Sequence, residues 1–316
     1  MKRHILLVIT GLSLLTGCRH KDLDILYDDA GSVRVVFDWR NAPGAAPQSM
    51  EAFFFDSEAA DEPVRFQFAG RDGGYVHIPA GVYSVIGQNS DNTDWAYRRN
   101  DHDPNLFEIY TGDASRLDAL GLNARTLPRA RGAEDERMAQ APGLLYGNRQ
   151  DNISLQVSSL EQKVTLFPEE VTCHYTVEVR DVENIQNLAD ASLDATLSGM
   201  AEGYLQGQGC ATRTPVTMPF TLSENRSDKT LAGHFLTFGE CPEANHVHSL
   251  IVYMVFSDGT KRYQTFDVTD QVRNAPDPKN VHIIVSGLNI PRTIDSGGGF
   301  RPDVDPWESE NIDLKM

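Results

Sequence analysis

The stretch "VTCHYTVEVR" (residues 171–180) alternates without a break. Val171, Cys173, Tyr175, Val177 and Val179 fall on one side, Thr172, His174, Thr176, Glu178 and Arg180 on the other. A period of two is that of a β-strand with one face buried and the other in water. The inward set is β-branched, aromatic or small, which suits a pleated surface. Toward the N-terminus the same reading places Val33, Val35, Phe37 and Trp39 on one inward face. It continues through 52–55 ("AFFF"), the alternating 64–68 ("VRFQF"), a Gly73-Gly74 turn and 75–78 ("YVHI"). In "IPAGVYSVI" (78–86), Pro79 fixes φ and Gly81 tolerates a positive one, so the segment predicts a turn into another strand. Toward the C-terminus, strands are predicted at 193–197, 234–238 and 281–285. Segments 249–256 and 261–266 flank Asp258-Gly259, a strong hairpin signal. Residues 269–272 amount to one helical turn.

Short strands at near-regular spacing with turn residues between them predict an all-β chain of two tandem β-sandwiches. The expected division is a first sandwich over 31–152 and a second over 153–291, the latter opening with strands at 153–157 and 164–167. From Thr111 to Asn152 the pattern lapses. Residues 112–121 read as one short helix, and "PRARGAEDERMAQAP" (128–142) as a mobile insertion, charged and poor in large apolar groups. Arg129, Arg131 and Arg137 lie in it, within reach of a trypsin-like protease. The region 292–316 reads as a strand hinged on Gly297-Gly298-Gly299, with Ile312, Leu314 and Met316 alternating against Asp313 and Lys315. Such a strand completes its own domain or adds to the sheet of another molecule, and Ile312, Leu314 and Met316 are the candidate partner-binding residues.

The chain begins Met1-Lys2-Arg3-His4, followed by an apolar run from Ile5 to Leu15 and the small residues Thr16 and Gly17. Positive charge, a short apolar stretch and small residues make residues 1–17 a signal peptide, too short to span a bilayer stably. Its end, Leu15-Thr16-Gly17-Cys18, resembles the lipobox of bacterial lipoproteins. That resemblance implies cleavage before Cys18 and acylation of it, with residues 18–30 as a lipidated tether; several acyl chains anchor a protein without a transmembrane helix. The residues 19–24 ("RHKDLD") resemble the export signals of surface lipoproteins in the Bacteroidetes. The expected location is the outer membrane, lipid-anchored, at the cell surface.

Lys and Arg number 28 against 45 Asp and Glu, a net charge of −17. Loss of Lys2 and Arg3 with the leader makes this 26 − 45 = −19. So acidic a surface repels phosphate backbones and argues against a nucleic-acid partner. Of the four cysteines, Cys173, Cys210 and Cys241 remain after Cys18. Cys173 reads as a small buried residue; Cys210 and Cys241, near predicted loops, could pair.

Motifs for catalysis are missing from the sequence: no HExxH, GxSxG or P-loop occurs. Gly207-Gln208-Gly209 is a bare GxG and reads as loop. His246 and His248 would share one face of a surface strand, without a third metal ligand. Asp101, Asp103 and Asn105 imitate the start of a calcium loop, but Leu106 stands where the turn needs glycine and Gly112 where the closing glutamate belongs. Aspartates 303 and 305 sit in a proline-framed linker. No cofactor or metal site is expected, and the reading is non-enzymatic. Trp95, Tyr97 and Tyr110 lie in a loop-rich stretch and form a candidate sugar platform, which keeps a glycan-binding lipoprotein as the alternative.

Lipobox, "IPAGVYSV", "VTCHYTVEVRDVENI", "ASLDATLSGMAEG" and "HFLTFG" together resemble the DUF5119 lipoproteins of Bacteroidetes fimbrial gene clusters. These are similar to the anchor and accessory subunits of type V fimbriae. The resemblance implies that the sandwiches are transthyretin-like, with Greek-key connections. It also implies a role in holding or capping a fimbria through contact with fimbrial subunits. Stalk subunits of that kind are cut by an arginine-specific protease and lose their first strand. Here Arg34 and Arg40 are the nearest arginines, Arg34 inside the first strand's pattern, and an anchor is expected to keep that strand, since a cut there would part the body from its lipid.

Overall fold

Strands are numbered along the chain. Val33, Val35 and Phe37 of β1 (Ala30–Phe37) are buried, as their alternation requires. Trp39 is buried too, but from a 3-10 turn, Trp39–Asn41, capped by the Asp38 side chain rather than from the strand. β1 is the middle strand of three, antiparallel to β4 (Gly73–Pro79) and parallel to β12 (Gln162–Leu166). Facing it lies a five-stranded sheet in the order β13 (Glu169–Glu170), β11 (Tyr146–Leu155), β5 (Gly81–Asn89), β2 (Ser49–Asp56), β3 (Val64–Ala69). The run of phenylalanines in β2 is apolar on both faces because both are covered. Met50, Ala52 and Phe54 face the core of the sandwich, while Phe53 and Phe55 face a separate cluster behind the sheet. This computed structural model describes residues 30–59, 61–92, 94–98, 103–114, 116–117, 122–123, 126–158, 160–242, 247–257, 259–291 and 307–310.

The second sandwich is built around β14 (Cys173–Arg180). Its five alternate apolar residues, Val171 included, are all buried. Of the outward set, Thr172 is buried as well, since the strand begins only after it. β14 pairs antiparallel with β20 (Thr230–Thr237) and parallel with β23 (Asn280–Ser286), and β19 (Ser223–Asn225) closes that sheet beyond β20. The opposing sheet has six strands. They run β10 (Arg137–Met138), β18 (Pro215–Thr221), β15 (Ala191–Ala201), β21 (Ser249–Phe256), β22 (Lys261–Asp267), β24 (Glu308–Glu310). The predicted hairpin is β21–β22, and the predicted helical turn is a short helix, Thr269–Arg273, leading into β23. Tyr175, Val177, Leu197, Met218, Leu250, Val252 and Ile283 interlock between the two layers.

Four expectations need correction. β11 and β12 pair with β5 and β1, so the strands near 153–157 and 164–167 close the first sandwich and do not open the second. Hydrogen bonding across strands decides membership, and periodicity along one strand carries no information about it. Residues 112–121 include no helix among those described; Arg116–Leu117 (β8) and Leu122–Asn123 (β9) form a small antiparallel pair. The segment 128–142 is packed, not loose. Ala130, Ala133, Met138 and Ala139 are buried, and Arg137–Met138 pairs with β18. Small alanines can seat a chain closely on a sheet, which a search for large apolar groups overlooks. Gly81, finally, does not take a positive φ; a Cβ there would stand 3.1 Å from the Tyr83 ring, so close approach is its reason.

Candidate functional site: the shared sheet and the C-terminal edge

Between the sandwiches lies a four-stranded sheet to which both halves contribute. β6 (Trp95–Arg98) and β7 (Glu108–Thr111) come from the first, β16 (Gly203–Leu205) and β17 (Cys210–Ala211) from the second. The joint is the antiparallel pair β7–β16, with Gly203 opposite Tyr110 and Leu205 opposite Glu108. Its apolar face covers Phe53, Phe55 and Ile86 from the first half and Ala201 and Phe238 from the second. Gly207 follows β16 at a close approach: a Cβ there would stand 1.7 Å from the carbonyl oxygen of Pro104. Gly209 has φ +67, so the GxG is turn and packing chemistry.

Charge reinforces the joint. Arg98 of β6 donates to Glu202 through Nη1 at 2.8 Å and Nη2 at 3.3 Å, and to Glu108 at 3.0 Å. Arg137 of β10 reaches the same Glu202 carboxylate through Nε at 3.1 Å and bonds Asp113 at 3.0 Å. Burial by itself raises the Glu202 carboxyl, but hydrogen bonds and charge from Arg98 and Arg137 outweigh it and hold it below the usual range. Glu108 goes the other way, raised chiefly by burial and further by Glu202, with Arg98 pulling against both. A second network lies deeper. Glu51 is fully buried; Arg65 Nε donates to it at 2.7 Å and Gln88 Nε2 at 2.7 Å, and the Tyr97 hydroxyl donates as well. Burial, with Glu51 beside it, raises the Tyr97 phenol.

These contacts use up the rings of the candidate sugar platform. Trp95 is buried in the shared cluster, Tyr97 is tied to Glu51, and Arg98 stacks over Tyr110 at 4.2 Å. A cleft of about 540 Å³ opens elsewhere, lined by Asn89, Asp91, Asn92, Leu144 and Tyr146 among others.

At the far edge of the six-stranded sheet, β24 runs parallel to β22, with Glu308, Ser309 and Glu310 opposite Arg262, Tyr263 and Gln264. Trp307 precedes it and packs edge-on against Tyr253 and Tyr263, at centroid distances of 5.4 Å and 6.4 Å. Tyr253 is fully buried beneath, its hydroxyl donating to the Pro128 carbonyl at 2.7 Å, and burial pushes its phenol up to about 12. The C-terminal segment and the 128–142 segment thus cover one apolar face together, with Ile251 and Met138 in it.

The other expectations fall out as follows. His248 is buried, not on a surface strand; its Nδ1 is 3.1 Å from the Ser198 carbonyl and its Nε2 3.3 Å from Glu240. It directly precedes β21, which is central in its sheet. Cys210 and Cys241 are not joined by a disulfide: Cys210 is exposed, and Cys173 and Cys241 are buried. Asp103 caps the 3-10 turn Pro104–Leu106, accepting from the Asn105 amide at 2.8 Å. Arg34 is held in the β1 ladder and Arg40 pairs with Asp38 at 2.6 Å. Cys18, His246, Asp101, aspartates 303 and 305, Ile312, Leu314 and Met316 lie outside the described residues. Among the described residues no helix is long and apolar enough to cross a membrane, and no group of three or more His, Cys, Asp or Glu side chains is disposed to hold a metal ion.

Comparison with known proteins bears on the fold. A candidate adhesin from Bacteroides ovatus aligns with a TM-score of 0.64 at 20% identity, covering 89% of this chain and 99% of that one. The fimbrial anchor protein Mfa2 from Porphyromonas gingivalis aligns with a TM-score of 0.50 at 12% identity, covering 81% and 90%. No curated protein matches the sequence. The family model of DUF5119, a domain of unknown function, matches residues 17–221, about two thirds of the chain, and the chain therefore belongs to the DUF5119 family.

Proposed function

We propose that this chain is an outer-membrane lipoprotein, acylated on Cys18 and displayed at the cell surface, that serves as an anchor or accessory subunit of type V-like fimbriae without catalytic activity of its own. The likeness in fold to a protein described as a fimbrial anchor supports the reading. The observation that carries it is the position of β1. The strand nearest the tether is bonded on both sides, to β4 and to β12, and Arg34 stands within the ladder opposite Lys163 and Tyr75. Removing such a strand would unpair two neighbours and expose Val33, Val35 and Phe37, so the body stays joined to its lipid. The shared sheet would pass a pull on one sandwich to the other. Ile312, Leu314 and Met316, just beyond β24, are the residues proposed to meet the next subunit by strand addition.

Two variants test this. Cys18→Ala should move the protein out of the membrane fraction and abolish palmitate labelling; unchanged partitioning would discard the lipid anchor. A chain ending at Glu310 keeps Trp307 and β24, and should stay membrane-bound and folded while failing to retain fimbriae. Retention equal to wild type would remove the tail from the reading. The second reading, a surface glycan-binding lipoprotein, rests on the 540 Å³ cleft. Its size and its pairing of Tyr146 with Asn and Asp side chains suit a saccharide. Affinity electrophoresis with Tyr146→Ala as control separates the two.

A further inference from the structure

The outer face of the β19-β20-β14-β23 sheet carries three histidines on neighbouring strands: His234 on β20, His174 on β14 and His282 on β23. Strand pairing sets their places. His234 and His282 flank Thr176 from its two sides, and His174 stands two residues back along β14. The side chains of His174 and His234 meet, with His174 Nδ1 3.3 Å from His234 Nε2. The other nitrogen of His174, Nε2, lies 2.6 Å from the Glu170 carboxylate. His282 is occupied differently, its Nδ1 2.7 Å from the Thr176 hydroxyl and its Nε2 3.5 Å from Glu178.

A carboxylate only accepts, so Glu170 keeps the proton of a neutral His174 on Nε2 and leaves the Nδ1 lone pair facing His234. That is the carboxylate–histidine arrangement by which proteins orient an imidazole toward a metal. The separation of the two ring nitrogens is also informative. Two nitrogens bound tetrahedrally to zinc at about 2.0–2.1 Å stand about 3.3–3.4 Å apart, the spacing seen here. Adjacent ligands of a square-planar copper(II) at similar bond lengths stand only about 2.8–2.9 Å apart.

We propose that His174 and His234 form a two-imidazole zinc site on this sheet face, with Glu170 orienting His174 and water filling the remaining positions. No third side chain among the described residues completes it, so affinity rests on the two rings. The side chain of His174 is 35% exposed and His234 is exposed, which leaves the metal an open approach. On binding, zinc replaces the hydrogen bond between the rings, and His234 exchanges its Nε2 proton for one on Nδ1 through solvent. Two neutral imidazoles therefore release no net proton. The site is independent of the anchoring role and would stand if that role failed.

The test is calorimetric titration of the intact, detergent-solubilised chain with zinc chloride, after removal of metal with a chelator. His174→Ala and His234→Ala should each weaken zinc binding at least tenfold, and Glu170→Gln about tenfold, the usual cost of losing a carboxylate that orients a ligand. His282→Ala should leave the isotherm unchanged. Zinc should also raise the melting temperature of wild type and of His282→Ala, but not of His234→Gln, a polar replacement at an exposed position that keeps the fold. Identical isotherms for wild type and the His174→Ala/His234→Ala double variant would overturn the proposal. So would loss of binding in His282→Ala equal to that in His234→Ala.

Discussion

Replacing Glu202 with glutamine probes whether charge at the shared sheet holds the two sandwiches together. The Glu202 side chain is 8% exposed, and its carboxylate takes hydrogen bonds from Arg98 at 2.8 and 3.3 Å and from Arg137 at 3.1 Å. Breaking a fully buried ion pair from one side costs about 3–5 kcal/mol. Here the cost is smaller: the Arg98 side chain is 50% exposed and that of Arg137 27%, so water recovers much of their solvation. Glutamine also keeps one neutral acceptor. A loss of about 2 kcal/mol at pH 7 is the expected result, and about 4 °C in melting temperature. Urea unfolding followed by tryptophan fluorescence suits the question, because Trp95 sits in the shared cluster and Trp39 in the core of the first sandwich. The pH dependence gives an independent sign. A carboxyl held low in the folded state contributes stability above its unfolded value, about 4.3, and loses it as pH falls through the folded value. The gap between wild type and variant should therefore be full at pH 7 and narrow in acid. A gap under about 0.5 kcal/mol at pH 7, or one constant down to pH 3, would refute the account.

Three further outcomes are expected. Gly207→Ala drives a methyl into the Pro104 carbonyl and should cost about 3 kcal/mol, whereas Gly112→Ala, with nothing within 4 Å, should change stability by less than about 0.5 kcal/mol; equal melting curves would contradict the close approach. In the native protein Cys210 should react readily with a maleimide, while Cys173, its thiol raised by burial, and Cys241 react only after unfolding; mass spectrometry of labelled peptides reads this directly. Trp307→Ala removes the ring contacts to Tyr253 and Tyr263 and should cost about 1–2 kcal/mol. Limited proteolysis should then release the C-terminal segment sooner, and an unchanged digestion rate would show that β24 does not depend on that ring.

What could be read from the chain alone were features whose cause lies within a few residues. The alternation from Val171 to Val179, the inward set Val33, Val35 and Phe37, and the β21–β22 hairpin all hold, while Trp39 is buried from the turn that follows β1. A strand with one wet face must alternate at period two whatever it later pairs with, so composition and fold class were legible. Pairing itself was not. That β11 and β12 belong with β5 and β1, and that β7 meets β16 across 93 or more residues, depends on hydrogen bonds between segments far apart in sequence. The alanines of 128–142 looked like solvent-facing chain because only the sheet beneath them, with Tyr253 and Ile251, supplies a reason to be buried. His174 and His234 follow the same logic: 60 residues separate them, and each alone is an unremarkable outward residue. Cross-strand register brings their nitrogens within 3.3 Å, because it makes diagonal neighbours of side chains that no local period relates.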